Sequence, residues 1–199
     1  MVLDDAASLV ETVSSPLVFV RIVESLHAEH AELHFAEYVR TTLRHNRPAG
    51  GRFNAPNEFG VLYSASDEST AWAELHARFT REGLTGLPSV MAVLLIQVSA
   101  GRLLDFNRSR VRDLWRASLA ELTAHEPTDA ERQACWDVGR RTREVVDFLR
   151  SPSARTGGDS IPIFVDRPHG KTLVLKLADV DLRRATPVAL RQVPAENWD

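Results

Sequence analysis

The stretch Phe59-Gly60-Val61-Leu62-Tyr63-Ser64-Ala65-Ser66-Asp67-Glu68-Ser69-Thr70-Ala71-Trp72-Ala73-Glu74-Leu75 passes from one hydrophobic rhythm to another. Residues 59–65 are mostly apolar and carry one aromatic hydroxyl, which predicts a strand. Ser66 is a candidate N-cap, and Asp67 and Glu68 place two acids in a first helical turn. The helix runs to about Glu82, where Gly83 stops it.

Reading upstream, the β-branched and apolar run Leu17-Val18-Phe19-Val20-Arg21-Ile22-Val23 predicts a strand. Ala31, Phe35, Tyr38, Val39 and Leu43 recur at helical spacing, so residues 28–43 read as one helix. Arg47-Pro48-Ala49-Gly50-Gly51 reads as its end and a turn, and residues 52–54 as a short strand. Residues 3–13 read as a short amphipathic helix broken by Ser14-Ser15-Pro16. Downstream, strands are expected at 90–98, 102–106, 148–151, 161–165 and 172–177. Helices are expected at 108–124 and 129–146, with Pro127 between them. Turns fall at Thr156-Gly157-Gly158 and Pro168-His169-Gly170. This irregular alternation indicates an α+β fold, with a central mixed or antiparallel sheet flanked by helices. No repeat or linker divides residues 1–199, so one domain is expected.

Composition narrows the function. The chain has 199 residues, 44% hydrophobic and 26% charged, which suits a globular protein that buries roughly 70% of its unfolded surface. A net charge of -3 argues against direct nucleic-acid binding, which depends on neutralising phosphates. Arg140-Arg141-Thr142-Arg143 lies among Glu131, Glu144 and Asp147 and reads as a mixed-charge helix surface. A single cysteine, Cys135, fits a reducing compartment. The acidic opening Asp4-Asp5 is unlike a secretory signal, and no apolar run is long enough to span a bilayer. The expectation is a cytoplasmic protein without membrane contact. His27, His30 and His34 have helical spacing, but with Glu29 and Glu32 between them they read as a solvated face, not a metal site.

Phosphate-loop, dinucleotide-fingerprint and nucleophile-elbow motifs are all absent. Chemistry concentrates instead between Gly50 and Glu74. Gly50-Gly51 permits close backbone approach just before Arg52, whose planar fork suits phosphate or carboxylate. Tyr63 brings an aromatic face and a hydroxyl within an apolar strand. Glu74 falls at the edge of its helix's inward arc, where a carboxylate is half-buried and oriented; the alternative is an ordinary Glu74–Arg78 surface pair. Farther on, Pro152-Ser153-Ala154-Arg155-Thr156-Gly157-Gly158 offers a hydroxyl, a guanidinium and a glycine turn whose amides can face an anion; by itself it reads as an ordinary connecting loop.

Taken in order, Phe19-Val20-Arg21-Ile22-Val23, Gly51-Arg52-Phe53-Asn54, Val61-Leu62-Tyr63-Ser64-Ala65, Ser66 to Glu74, and the Pro152–Gly158 element resemble the RES domain family. The resemblance covers about 17–165, leaving an N-terminal helix and a C-terminal extension. The chain between Arg21 and Arg52 is long for the pattern and carries an inserted helix.

The resemblance implies a fold similar to diphtheria-type ADP-ribosyltransferases, NAD+ as substrate, and the toxin half of a bacterial toxin–antitoxin pair. The implied partner is an Xre-like helix-turn-helix antitoxin. It also implies breakage of the nicotinamide–ribose bond, ending in hydrolysis or phosphorolysis of NAD+, or in transfer of ADP-ribose to a protein. On that reading Arg21 and Arg52 clamp phosphates or the adjoining ribose. Tyr63 stacks on nicotinamide. Glu74 binds ribose hydroxyls and stabilises the developing cation. Ser153 orients a ribose or phosphate oxygen or holds Glu74, and Arg155 adds a phosphate contact or shapes its loop. No metal is called for. A third possibility is a non-catalytic binding module in which the same charges form structural ion pairs.

Overall fold

Alternation along one strand organises the molecule. In Leu17–Glu24 (β2), Phe19 and Val23 project into one hydrophobic core, while Val20 and Ile22 project into another on the opposite face. The neighbouring strand Met91–Ala100 (β4) is apolar almost throughout because both its faces are covered. Ala92, Leu94, Ile96 and Val98 enter the first core, and Met91 and Val93 the second.

The computed structural model describes residues 8–81, 83, 90–167 and 173–183. The other elements are β1 (Glu11–Thr12), α1 (Ser25–Leu33), α2 (Phe35–Ala49), β3 (Leu62–Ala65), α3 (Glu68–Arg81), β5 (Arg102–Asp105), α4 (Ser109–Trp115), α5 (Leu119–Thr123), α6 (Asp129–Arg143), β6 (Phe148–Pro152), β7 (Asp159–Ile163) and β8 (Val174–Arg183). The described strands form one sheet in the order β1-β5-β6-β7-β3-β2-β4-β8. The β5–β6 pair is parallel and every other neighbouring pair is antiparallel, so the sheet is mixed. The α+β class expected from the order of elements is the class observed.

Helices α1 and α2 cover the first core, where Ala28, Ala31, Tyr38 and Val39 meet the sheet. Helix α3 lays Ala71, Trp72 and Leu75 on the second. A third core, with Phe53, Leu104, Phe106, Trp115, Leu122 and Val138, lies between the β5–β6 end and α4–α6. Helix α6 approaches the 51–54 loop so closely that a Cβ at Gly139 would lie 1.7 Å from the carbonyl oxygen of Phe53. Among the described residues no helix is long and apolar enough to cross a membrane.

Several local expectations need correction. The 28–43 helix is two helices, hinged at His34 (φ -143°, ψ 56°), and the second continues to Ala49 with Pro48 in its last turn. A proline there removes one backbone donor at the helix end without interrupting the turns before it. Residues 52–54 are bends, not a strand, because Asn54 turns its side chain into the core. The strand expected at 59–65 is confined to Leu62–Ala65. Asp67, not Ser66, caps α3: its Oδ1 accepts from the Thr70 amide at 2.8 Å. The 108–124 helix is broken at Arg116, which adopts φ 52°. Of the expected N-terminal helix, Glu11–Thr12 is instead strand β1, paired with Leu103 and Arg102. Residues 8–10 of that stretch are a turn and irregular backbone rather than helix, and residue 13 is irregular too; residues 3–7, the Pro168–Gly170 turn and most of the C-terminal extension lie outside the described residues.

Candidate active site

The sheet opens between β2 and β3. Strands β2 and β4 pair along eight consecutive positions, whereas β2 and β3 pair only at Val20 and Ala65. The Arg21 side chain bridges this gap. Its Nε donates to the Tyr38 hydroxyl at 2.8 Å, and its Nη1 donates to the Tyr63 carbonyl oxygen. A buried carbonyl that lacks a ladder partner is costly unless another donor reaches it, and Arg21 supplies that donor. The opening widens into a cleft of about 1400 Å³ lined by Arg21, Arg52, Tyr63, Glu74 and Arg155.

Tyr63 is fixed at both ends. Its ring packs on Gly51, where a Cβ would come within 2.6 Å of the hydroxyl oxygen, so any larger residue displaces the ring. The hydroxyl accepts from the Phe53 amide at 2.9 Å and donates to Asn54 Oδ1 at 2.8 Å. Asn54, fully buried, donates in turn to the Phe59 carbonyl at 2.8 Å. Burial pushes the phenol pKa well above its ordinary value, with the nearby Glu74 charge a smaller contribution in the same direction. Tyr63 therefore stays neutral, with its ring fixed on the cleft wall. Sequence reading quotes Asn54 in the Gly-Arg-Phe-Asn element without assigning it this role; a polar residue amid Phe53, Ala55 and Phe59 is its available signal.

Glu74 comes from α3, and Ser153 follows directly on the end of β6. The Ser153 hydroxyl donates to Glu74 Oε1 at 2.7 Å. Ser153 is buried, and one oxygen of the Glu74 carboxylate is held by its hydroxyl. The Ser153 hydroxyl oxygen also accepts from the Arg155 amide at 3.0 Å, and the Ser153 amide donates to the Gly158 carbonyl at 2.9 Å, which closes the 153–158 loop.

Arg52 and Arg155 face a common segment. Arg52 Nη1 donates to the Leu122 carbonyl, and Nη2 to the Ala124 carbonyl at 3.0 Å. Arg155 Nη2 donates to the His125 carbonyl at 2.9 Å. The Trp136 indole donates to the Gly51 carbonyl at 2.8 Å, adding a tie from α6. Cys135, beside this junction, is buried and its Sγ donates to the Glu121 carbonyl at 3.3 Å. Burial pushes its thiol up to about 11, so it is not an activated nucleophile.

The histidines do not converge. His27 and His34 are exposed, and His30 and His34 ring centroids lie 5.8 Å apart across the α1–α2 hinge. No group of potential ligands that could hold a metal occurs among the described residues. The 140–143 basic cluster is built into the surface. Arg140 pairs with Glu58 at 2.9 Å, Arg141 lies over the Trp115 ring, and Arg143 over the Phe59 ring.

A mixed sheet split beside an oriented carboxylate, an aromatic face and several guanidinium groups defines an α+β protein with a cleft lined by charges of both signs. The chain belongs to the RES domain family, whose family model matches residues 27–185. The fold is also similar to a chain in the crystal structure of the M. tuberculosis MbcT–MbcA toxin–antitoxin complex. That match has a TM-score of 0.65 at 18% identity and covers 96% of this chain and 94% of the other. No curated protein matches the sequence.

Proposed function

We propose that this chain is the toxin of a toxin–antitoxin pair and that it breaks the nicotinamide–ribose bond of NAD+, depleting the dinucleotide by hydrolysis or phosphorolysis. The observation that carries this reading is the 2.7 Å bond from Ser153 to Glu74 on the wall of the cleft that Tyr63 also lines. In the reaction the bond between ribose C1′ and the pyridinium nitrogen breaks. Its electron pair leaves with nicotinamide, and positive charge develops on the ribose. A carboxylate already oriented in a partly desolvated cleft stabilises that charge without reorganising. With one oxygen of Glu74 held by Ser153, the other is available to ribose hydroxyls. Water or phosphate then forms the new bond to C1′ and releases its proton to solvent.

The remaining groups follow from their positions. Tyr63, neutral and clamped by Phe53 and Asn54, seats the nicotinamide ring. Arg21, Arg52 and Arg155, whose planar guanidinium forks line the cleft, favour the pyrophosphate. The partner that restrains such an activity is an Xre-like antitoxin, and the compartment is the cytoplasm, where NAD+ is plentiful and a lone cysteine stays reduced.

A second reading, transfer of ADP-ribose to a protein, draws on the size of the cleft. About 1400 Å³ exceeds the roughly 300–1000 Å³ usual for a small-molecule site. That leaves room beside a dinucleotide for an acceptor side chain.

The test is NAD+ loss by the purified chain, followed by mass spectrometry with and without phosphate and with added cell lysate. Loss without lysate supports NAD+ consumption, and an ADP-ribose phosphate product selects phosphorolysis. Loss only with lysate, with a protein gaining the ADP-ribose mass, selects transfer. No loss from a folded sample overturns both readings in favour of a binding module.

A further inference from the structure

The geometry around Ser153 depends on a residue outside the cleft lining. Thr70, on the first turn of α3, is completely buried. Its hydroxyl lies 2.8 Å from Asp67 Oδ2 and 2.8 Å from the Thr156 hydroxyl. The Thr156 oxygen accepts from the Gly158 amide at 3.1 Å. Asp67 also accepts from Ser66 and Ser69 hydroxyls at 2.8 Å each and from the Thr70 amide. These hydrogen bonds hold its carboxyl at about 2, below the ordinary carboxylate range and against the effect of burial, so it is ionised and acts only as an acceptor.

That fixes the direction of every proton in the chain. Thr70 must donate to Asp67, so Thr156 must donate to Thr70 and accept from Gly158. The relay runs from the loop amide, through two hydroxyls, to the carboxylate that caps α3. A parallel branch runs from the Asp159 amide to the Ser66 hydroxyl at 2.9 Å and on to the same carboxylate. The loop cannot shift without breaking both branches. Space is equally restrictive, since a Cβ on Gly158 would lie 2.1 Å from Thr70 Oγ1. Glu74 stands on the helix that Asp67 caps, and Ser153 begins the loop that the relay anchors.

We propose that Thr70 is a positioning residue, whose hydroxyl couples the capped start of α3 to the 153–158 loop and thereby sets the contact between Ser153 and Glu74. The proposal deepens the NAD+-cleaving reading and rests on it for its kinetic consequence. Thr70 touches neither cleft nor substrate; it acts through Thr156 and Ser153. Misplacement of a reacting group by about an ångström costs roughly a hundredfold in rate.

Thr70→Val preserves shape and removes the hydroxyl, whereas Thr70→Ser keeps the hydroxyl. Expected for Thr70→Val is a roughly tenfold to hundredfold fall in kcat with KM changed less than about threefold. Expected for Thr70→Ser is kcat within about threefold of the parent. Equal kcat in the parent and Thr70→Val overturns the proposal, as does an equal loss in both variants. A crystal structure of Thr70→Val provides a readout independent of activity. Loss of the 2.7 Å contact between Ser153 and Glu74 supports positioning, and its retention overturns it. If the parent chain leaves NAD+ intact, the NAD+ reading fails while the crystallographic comparison still decides the role of Thr70.

Discussion

Arg21 donates to the carbonyl oxygen of Tyr63 across the place where β2 and β3 part, so the residue that lines the cleft also keeps it open. In a continuous antiparallel pair that carbonyl would face a backbone amide. The guanidinium substitutes for the missing ladder bond and reaches Tyr38 from the same position. Replacing Arg21 by methionine keeps the apolar stem and removes both donors. Expected is a loss of about 1–3 kcal/mol from leaving a part-buried acceptor unmatched, measured by urea denaturation, together with lost NAD+ turnover on the proposed reading. Tyr38→Phe removes only the Nε partner and should cost less on both readouts. Equal stability of Arg21→Met and the parent would refute a bridging role.

Glu74→Gln should separate charge from shape. The amide oxygen can still accept from Ser153, so the local hydrogen bond persists and thermal stability should change by only a few degrees. On the proposed NAD+-cleaving reading the charge that would stabilise the ribose cation is gone, and turnover should fall by about a hundredfold or more. Turnover within a few-fold of the parent would remove Glu74 from the chemistry.

Much of this arrangement is legible in the sequence because its carriers are strong local signals. Strands β2 and β4 are long apolar runs, and the helix bearing Glu74 has acids at its start and Gly83 at its end, where φ is 70°. The ordered set from Arg21 to Ser153 marks residues that fold into one neighbourhood. The helix breaks at His34 and Arg116 are not legible as glycine or proline punctuation, since both are ordinary residues in unusual backbone conformations. The signal for the second break lies just beyond it. Ser118 with Glu121, and Thr128 with Glu131, form capping boxes that announce new helices. Asn54, Thr70 and Thr156 escape sequence reading for a different reason. Each looks like a turn former, and only the tertiary structure shows that Asn54 and Thr70 are buried, the first bonded to Tyr63 and the second to the distant Thr156.

Gly139 tests the support beneath Tyr63. Helix α6 can approach the 51–54 loop only while position 139 lacks a Cβ, because the nearest atom is the Phe53 carbonyl oxygen, which belongs to the backbone and cannot rotate aside. Gly139→Ala gains about 1 kcal/mol of intrinsic helix propensity, but the overlap should cost more, roughly 1–3 kcal/mol net of relaxation. Denaturation midpoints give the sign directly. A stabilised variant would mean that the helix and loop are not in contact as described.

The alkaline limb of stability should reflect two buried acids. Cys135 is pushed up to about 11 and Tyr63 higher still, both chiefly by burial. For each, the folded state holds its proton more tightly than the unfolded chain does. Their contribution is therefore intact below the ordinary thiol range, near 8.5, and declines as pH rises through it toward 11. Denaturation midpoints should fall between about pH 8.5 and 11, and Cys135→Ser should flatten the lower part of that decline. The native thiol should also resist a disulfide reagent at pH 8, where burial keeps it protonated, and react once the protein is unfolded. Rapid reaction in the native state would contradict its burial.

Arg52 and Arg155 bind three carbonyls within residues 122–125, so the segment between α5 and α6 is tied to the cleft by the same groups that favour an anion. The backbone carbonyls are uncharged, whereas a pyrophosphate carries charge that a guanidinium binds more strongly. Arg52→Lys keeps the positive charge but cannot span two carbonyls with a planar fork. Amide hydrogen exchange should then quicken in residues 119–128, while the sheet strands β2 and β4 keep their protection. Adding NAD+ to a Glu74→Gln variant should produce a smaller change in the same segment if the arginines turn toward the phosphates. Unchanged exchange on Arg52→Lys would show that the Trp136 tie and the packing of Leu122 hold the segment without Arg52.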